Sequence, residues 1–198
     1  YKNNWDNGYF YSALYHRFAN GTITRISSIV PGSTLIYAIF QNAGKSYNTG
    51  IEAILNQKVS DIYSFNINGN IYRNQINAFT VENLYPEPNI FSAEKQTAIS
   101  GNLKLNNTFR FAMYWDAQLT AVYLAPDIIP QGKILSRFSI DVGLKKAVQK
   151  GRGEIFFNAT DLLNTMVIRK QVQGMGFSYT SNDYYETQVI RLGYSYKL

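Results

Sequence analysis

Odd positions from Tyr63 to Ile71 carry Tyr63, Phe65, Ile67, Gly69 and Ile71, while Ser64, Asn66, Asn68 and Asn70 fall between them. One face is apolar and the other is lined with amides. The alternation returns at Ile99, Gly101, Leu103 and Leu105 against Ser100, Asn102, Lys104 and Asn106. It continues through Phe109, Phe111, Met113, Trp115, Ala117, Leu119, Ala121 and Tyr123, opposite Arg110, Asp116, Gln118 and Thr120. Phe138 to Leu144 and Ile190 to Leu198 repeat it, and Ile51, Ala53 and Leu55 oppose Glu52 and Asn56. Successive side chains of a strand point to opposite faces, so period two over such lengths predicts strands with one oily and one wet face. We count about eight, with an ambiguous first candidate over Tyr9 to Ile29, and most exceed the five or six residues usual in globular sheets.

Connections alternate in length. Short polar turns are expected at Lys58–Asp61, Asn106–Asn107 and Ala147–Gly153, and longer joins at Asn77–Glu94, Ala125–Gly132 and Gln173–Asp183. Short turns on one rim and long loops on the other are the plan of outer-membrane barrels, whose short turns are periplasmic. The expected fold is therefore an all-β, antiparallel, up-and-down transmembrane β-barrel, residues 1–198 forming one segment of it with the C-terminus on the periplasmic side. Hydrocarbon offers backbone amides no partner, so a sheet crosses a bilayer only with its strands paired and its apolar face outward. Aromatic residues near strand ends, such as Phe109, Tyr123, Tyr194 and Tyr196, fit interfacial girdles. Period two alone is equally compatible with a soluble cup whose apolar face turns inward.

Composition narrows the chemistry. The 198 residues hold no cysteine and one histidine, His16, which removes disulfides, thiolate sites and His clusters as explanations. Charged residues are 16% of the chain, below the roughly 25% of an ordinary soluble domain. The longest apolar run, Leu35 to Phe40, is far short of the ~20 residues of a membrane-spanning helix. Tyr1 to Gly8 shows neither the basic nor the apolar region of a signal peptide. The net charge of +6 is scattered apart from Lys145, Lys146, Lys150 and Arg152, read as a solvated turn, so no nucleic-acid partner is expected.

Particular strings carry a resemblance. "QNAGKSYNTGIEAIL" (Gln41 to Leu55) places Asn42, Gly44, Gly50 and Glu52 in an N-x-G-x-x-x-x-x-G-x-E pattern. Gln131 and Gly132 fit a P-Q-G loop element, "FFNATDLLNT" (Phe156 to Thr165) looks like an N-x-x-D-L-F-N element, and "VIRLGYSYKL" looks like a terminal strand. With these in order, the chain resembles the C-terminal barrel portion of TonB-dependent outer-membrane receptors of the Bacteroidota type. The resemblance implies the last eight or so strands of a 22-stranded, plugged barrel. It implies uptake of a scarce nutrient such as a metal chelate, glycan or peptide, with energy coupling in the plug, the TonB box and the TonB complex. Implied partners are outer-membrane lipid and lipopolysaccharide, the rest of the barrel and its plug, and a surface lipoprotein. Leu198 stands where the family ends in Phe, and Leu163 where Phe is common.

Candidate water-facing positions are Glu52, Asn66, Asn68, Asn70, Asn102, Lys104, Asp116, Gln118, Asp141 and Glu154, and Tyr194, Tyr196 and Leu198 form the candidate assembly signal. No catalytic residue, cofactor or metal is expected. Asp161 breaks the parity of Ile155, Phe157 and Ala159, which predicts a bulge or the strand's exit from the apolar band. Gly174 and Gly176 read as loop glycines, His16 as a polar wall residue, and Glu82–Pro88 as an exposed loop tip. The alternatives to transport are a receptor-like scaffold in an envelope complex, a stand-alone eight-stranded barrel, and a soluble β-barrel binding protein.

Overall fold

A computed structural model describes residues 1–42, 44–84 and 87–197, with the side chain of Met113 outside that set. The described residues form seventeen strands: β1 (Lys2–Trp5), β2 (Gly8–Asn20), β3 (Ile23–Ile29), β4 (Ile36–Asn42), β5 (Lys45–Lys58), β6 (Tyr63–Ile76), β7 (Phe79–Asn83), β8 (Asn89–Ala93), β9 (Gln96–Phe111), β10 (Trp115–Leu124), β11 (Asp127–Ile129), β12 (Gly132–Ile134), β13 (Arg137–Val148), β14 (Gly153–Thr160), β15 (Ile168–Gly174), β16 (Phe177–Asp183) and β17 (Val189–Tyr196). Nine of them make one antiparallel wall in the order β1-β2-β5-β6-β9-β10-β13-β14-β17. The others form the smaller sheets β3-β4, β7-β8 and β11-β12-β15-β16. No described helix is long and apolar enough to cross a membrane, which leaves strands untouched as membrane-crossing elements.

The wall corrects the expected count: nine strands rather than about eight, with the four-residue β1 as an edge. Tyr9–Ile29 divides into β2, which belongs to the wall, and β3, which does not. No turn exists at Asn106–Asn107, because both lie inside the 16-residue β9 and the chain reverses at Ala112–Tyr114 instead. Phe111 pairs with Trp115 across that three-residue turn, so partners share odd parity and the apolar row passes through the reversal without a break. Gln173–Asp183 is largely strand: most of it is β16, in a long connection that carries the β15-β16 hairpin. Glu82 and Asn83 end β7, and Asn83 is fully buried; Tyr85 and Pro86 of that expected loop tip lie outside the described residues.

Short turns join β1 to β2, β5 to β6, β9 to β10 and β13 to β14 on one rim. On the other rim the connections carry the remaining eight strands as hairpins. Register aligns the apolar sets of all the long strands. Phe10, Leu14 and Phe18 of β2 pair with Leu55, Ile51 and Tyr47 of β5; Leu55, Ile67 and Leu105 form one row; Leu119, Val142, Ala159 and Ile190 form another. Among the described residues nothing covers this face, and Leu14, Ile71, Ile99 and Leu192 are 81, 67, 78 and 77% exposed. The buried apolar residues Ile26, Ala93 and Val172 belong to the hairpins, leaving Ala159 as the wall's buried hydrophobic among the described residues. At the short-turn rim Tyr63 stacks on Phe109 at 5.0 Å between ring centroids, and Lys146 lies 4.8 Å over Trp115.

Candidate functional site

The polar face is assembled by the same register. Asn56, Asn66, Asn106, Thr120 and Asp141 make one row across five strands, and Glu52, Asn70 and Asn102 make another. The ten polar-face candidates, Glu52, Asn66, Asn68, Asn70, Asn102, Lys104, Asp116, Gln118, Asp141 and Glu154, all fall on this face. Amides answer one another there. Thr120 Oγ1 donates to Asn106 Oδ1 at 3.0 Å, and both Asn106 and Asn68 donate to Asn66 Oδ1.

Toward the short-turn rim the face forms a basin of about 480 Å³ that includes Arg110, Asp116, Gln118, Lys145, Glu154 and Asn158. Lys145 Nζ lies 3.7 Å from Asp116 and 3.3 Å from Glu154, so two of the candidates meet through one ammonium. These side chains are nearly half exposed, and such pairs contribute little, about 0 to 1 kcal/mol. The cationic cluster is thereby divided. Lys145 joins the polar face and Lys146 the apolar one, leaving Lys150 and Arg152 at the turn.

From the middle of the wall toward the long-loop rim tyrosines take over. Tyr11 donates to Glu52 at 3.3 Å and Tyr15 to Asn70 at 2.9 Å. Gly50 explains part of its motif: a Cβ there would stand 2.8 Å from Tyr15 Oη and 2.5 Å from Ile71 O. Tyr72 and Asn74 donate to the two oxygens of Asp127, which draws β11 over the polar face. Gln131 is almost fully buried. Its Oε1 accepts from Ser27 N at 2.7 Å and its Nε2 donates to Ser27 O at 2.9 Å, imitating a neighbouring strand against the free edge of β3. Hairpins then enclose a cavity of about 910 Å³ that includes Ile29, Glu94, Gln131, Met175 and Phe177.

Asp161 leaves the parity because β14 has ended: it sits at φ 45° in the turn that follows. Its carboxylate is buried and accepts from Thr165 N, Met166 N and Thr187 Oγ1. Burial pushes its pKa up, but those hydrogen bonds outweigh burial and hold it below the usual carboxylate value. Asp161 N donates to Asp141 Oδ1 at 2.8 Å, tying this turn to the polar face. Tyr194 and Tyr196 lie on the apolar face at the short-turn rim, with Tyr194 Oη donating to Gln149 at 2.7 Å; Leu198 lies outside the described residues.

Lys104 and Asn102 stand on the polar face without a hydrogen-bond partner among the described side chains, so the face is only partly networked. The sequence reading missed Tyr11, Tyr15, Asp127 and the clamp by Gln131. The tyrosines were findable, since Phe10, Leu14 and Phe18 alternate with Tyr9, Tyr11 and Tyr15 in β2. Asp127 and Gln131 act through loop folding, which leaves no period to read. His16 lies on the apolar face, where its Nδ1 is 2.7 Å from Thr49 Oγ1.

A family model described as the outer membrane protein beta-barrel family matches residues 1–196. No curated protein and no solved structure gives a match.

Proposed function

Because this chain belongs to the outer membrane protein β-barrel family, we propose that it forms the wall and surface loops of a TonB-dependent transporter that brings a scarce nutrient into the periplasm. The outer membrane is its place in the cell, as the family implies. The observation that carries the transport reading is the continuous amide-lined face lying beneath interlocked hairpins, on a sheet whose other face is oily and uncovered. In a bilayer the oily face meets acyl chains and the amide face lines water. The polar candidates then face the lumen, the short-turn rim and the C-terminus face the periplasm, and the 910 Å³ cavity opens to the exterior, where it is of ligand-binding size.

The wall supplies passage and contact rather than bond chemistry. In this reading a plug occupies the amide face and couples to the inner-membrane TonB complex. The wall's open edges, β1 and β17, are paired on one side each and require partner strands in lipid, which a larger barrel of about 22 strands provides. The test is uptake by intact cells under nutrient limitation, comparing the parent with strains lacking this receptor or lacking TonB. Transport requires both deletions to abolish entry of the same labelled nutrient. Entry that survives loss of TonB, or a receptor deletion that changes no uptake while it disperses an envelope complex, supports the scaffold reading instead.

A further inference from the structure

Three polar side chains form a row on the apolar face: His16 of β2, Thr49 of β5 and Arg73 of β6 are in register. The row beneath it, Leu14, Ile51, Ile71 and Gly101, is wholly apolar, and the row above contains Phe18, Tyr47 and Gln75. His16, Tyr47, Thr49, Arg73 and Gln75 together line an open groove of about 180 Å³. That is several times the ~30 Å³ share of one water and enough for a phosphate group.

The groove is built to donate. Tyr47 stacks on the His16 ring at 6.0 Å between centroids, and Thr49 Oγ1 meets His16 Nδ1 at 2.7 Å. When Thr49 donates to Nδ1, the ring proton sits on Nε2 and adds a second donor beside the Arg73 guanidinium. Gln75 already donates to Asn77 at 2.8 Å and serves as an outer wall. Arg73 has no carboxylate partner among the described residues. Every acid of the nine wall strands lies on the polar face, namely Glu52, Asp116, Asp141 and Glu154, so no acid of the wall strands competes on the outer side. Lys45, exposed on the same face, continues the β5 column four residues beyond Thr49 toward the long-loop rim, about 13 Å away.

A guanidinium on a lipid-facing surface is unfavourable at the midplane and nearly neutral at the interface, where anionic headgroups reward it. We propose that this groove seats a phosphate of lipid A in the outer leaflet, with Arg73 as its fork-shaped donor and His16 as the second. Lipid A rather than phospholipid is the occupant because the row lies on the long-loop half of the wall. This rests on the reading above that the long-loop rim faces the exterior.

The test uses the full-length protein purified from outer membranes, with bound lipid counted by native mass spectrometry. Bisphosphorylated lipid A should bind about tenfold more tightly than its dephosphorylated form, as loss of a charge-assisted contact implies. Arg73→Gln should erase that preference and Arg73→Lys should keep part of it. Arg17→Gln, which removes a neighbouring cation from the polar face, should leave it unchanged; Arg17→Gln losing the preference equally would overturn the site. So would phosphatidylglycerol binding better than lipid A, or no phosphate preference in the parent protein. Orientation is checked separately by placing a cysteine at Met175, 93% exposed at a hairpin tip, and labelling whole cells with an impermeant maleimide. Labelling without a phosphate preference defeats the lipid A site alone. Absence of labelling defeats the exterior placement and the site with it.

Discussion

Ile67 and Asn68 are neighbours in β6 whose side chains leave the wall on opposite faces. Ile67 stands between Leu55 and Leu105 in an unbroken oily row, and Asn68 donates to Asn66 among the amides. In the proposed setting Ile67→Arg should cost roughly 2 to 4 kcal/mol near the bilayer midplane, while Asn68→Arg should change stability little. Denaturant titration of the protein refolded into vesicles measures both, and equal costs would contradict a lipid-facing odd row. Asp161 gives a second residue-scale expectation. Its lowered pKa means that the carboxylate is more strongly favoured as an anion in the folded turn than in the unfolded chain. The stabilisation is thus fully present above the ordinary carboxyl range near 4, and it is lost as pH falls through the lower folded value. Hydrogen-exchange protection of Thr165 N and Met166 N should follow that course, and Asp161→Asn should remove the pH dependence and lower protection about tenfold at neutral pH.

Hairpins and strands reveal what can be read from a line of letters. Gln131 joins two of the long loops through both hydrogen bonds to Ser27, so Gln131→Leu should leave a buried peptide group unpaired at a cost of about 1 to 3 kcal/mol. Limited proteolysis between Pro31 and Ser33 should speed up accordingly, whereas an unchanged rate would show that the hairpin is held elsewhere. Nothing in the letters near Gln131 announces this contact, because its partner is distant in the chain and neither segment is periodic. Wall strands are different. One apolar and one polar face impose a two-residue period, and that period exposed β6, β13 and β17 directly. The same rule hid the turn at Ala112–Tyr114, since an odd-length reversal keeps the parity and two strands read as one. Loop strands β7, β15 and β16 also alternate between less and more exposed positions, but over only five to seven residues each, a run short enough to be read as part of a long join. That the polar candidates share one face was legible for the reason the wall was, and the Lys145 bridge between Asp116 and Glu154 was not, because register had first to be known.

At the scale of the molecule, strand parity decides how the wall can close. Nine consecutively antiparallel strands make β1 and β17 run in the same direction. Joining those edges would create a parallel seam, whereas single-chain bacterial barrels close with an even number of antiparallel strands. Leaving the edges bare in lipid would strand their amide and carbonyl groups at several kcal/mol each. An odd number of further antiparallel strands between the two edges resolves both difficulties, and a 22-stranded barrel meets that condition. Spin labels at Asn4→Cys in β1 and Ser195→Cys in β17, placed in the full-length protein in outer membranes, measure the gap directly, and the absence of native cysteine in this segment simplifies the labelling. A separation of many times the ~5 Å spacing of neighbouring strands is the expected result. Labels at neighbouring-strand distance would mean that these nine strands form a small barrel with a parallel seam, too narrow for a plug, and would remove the transporter reading along with it.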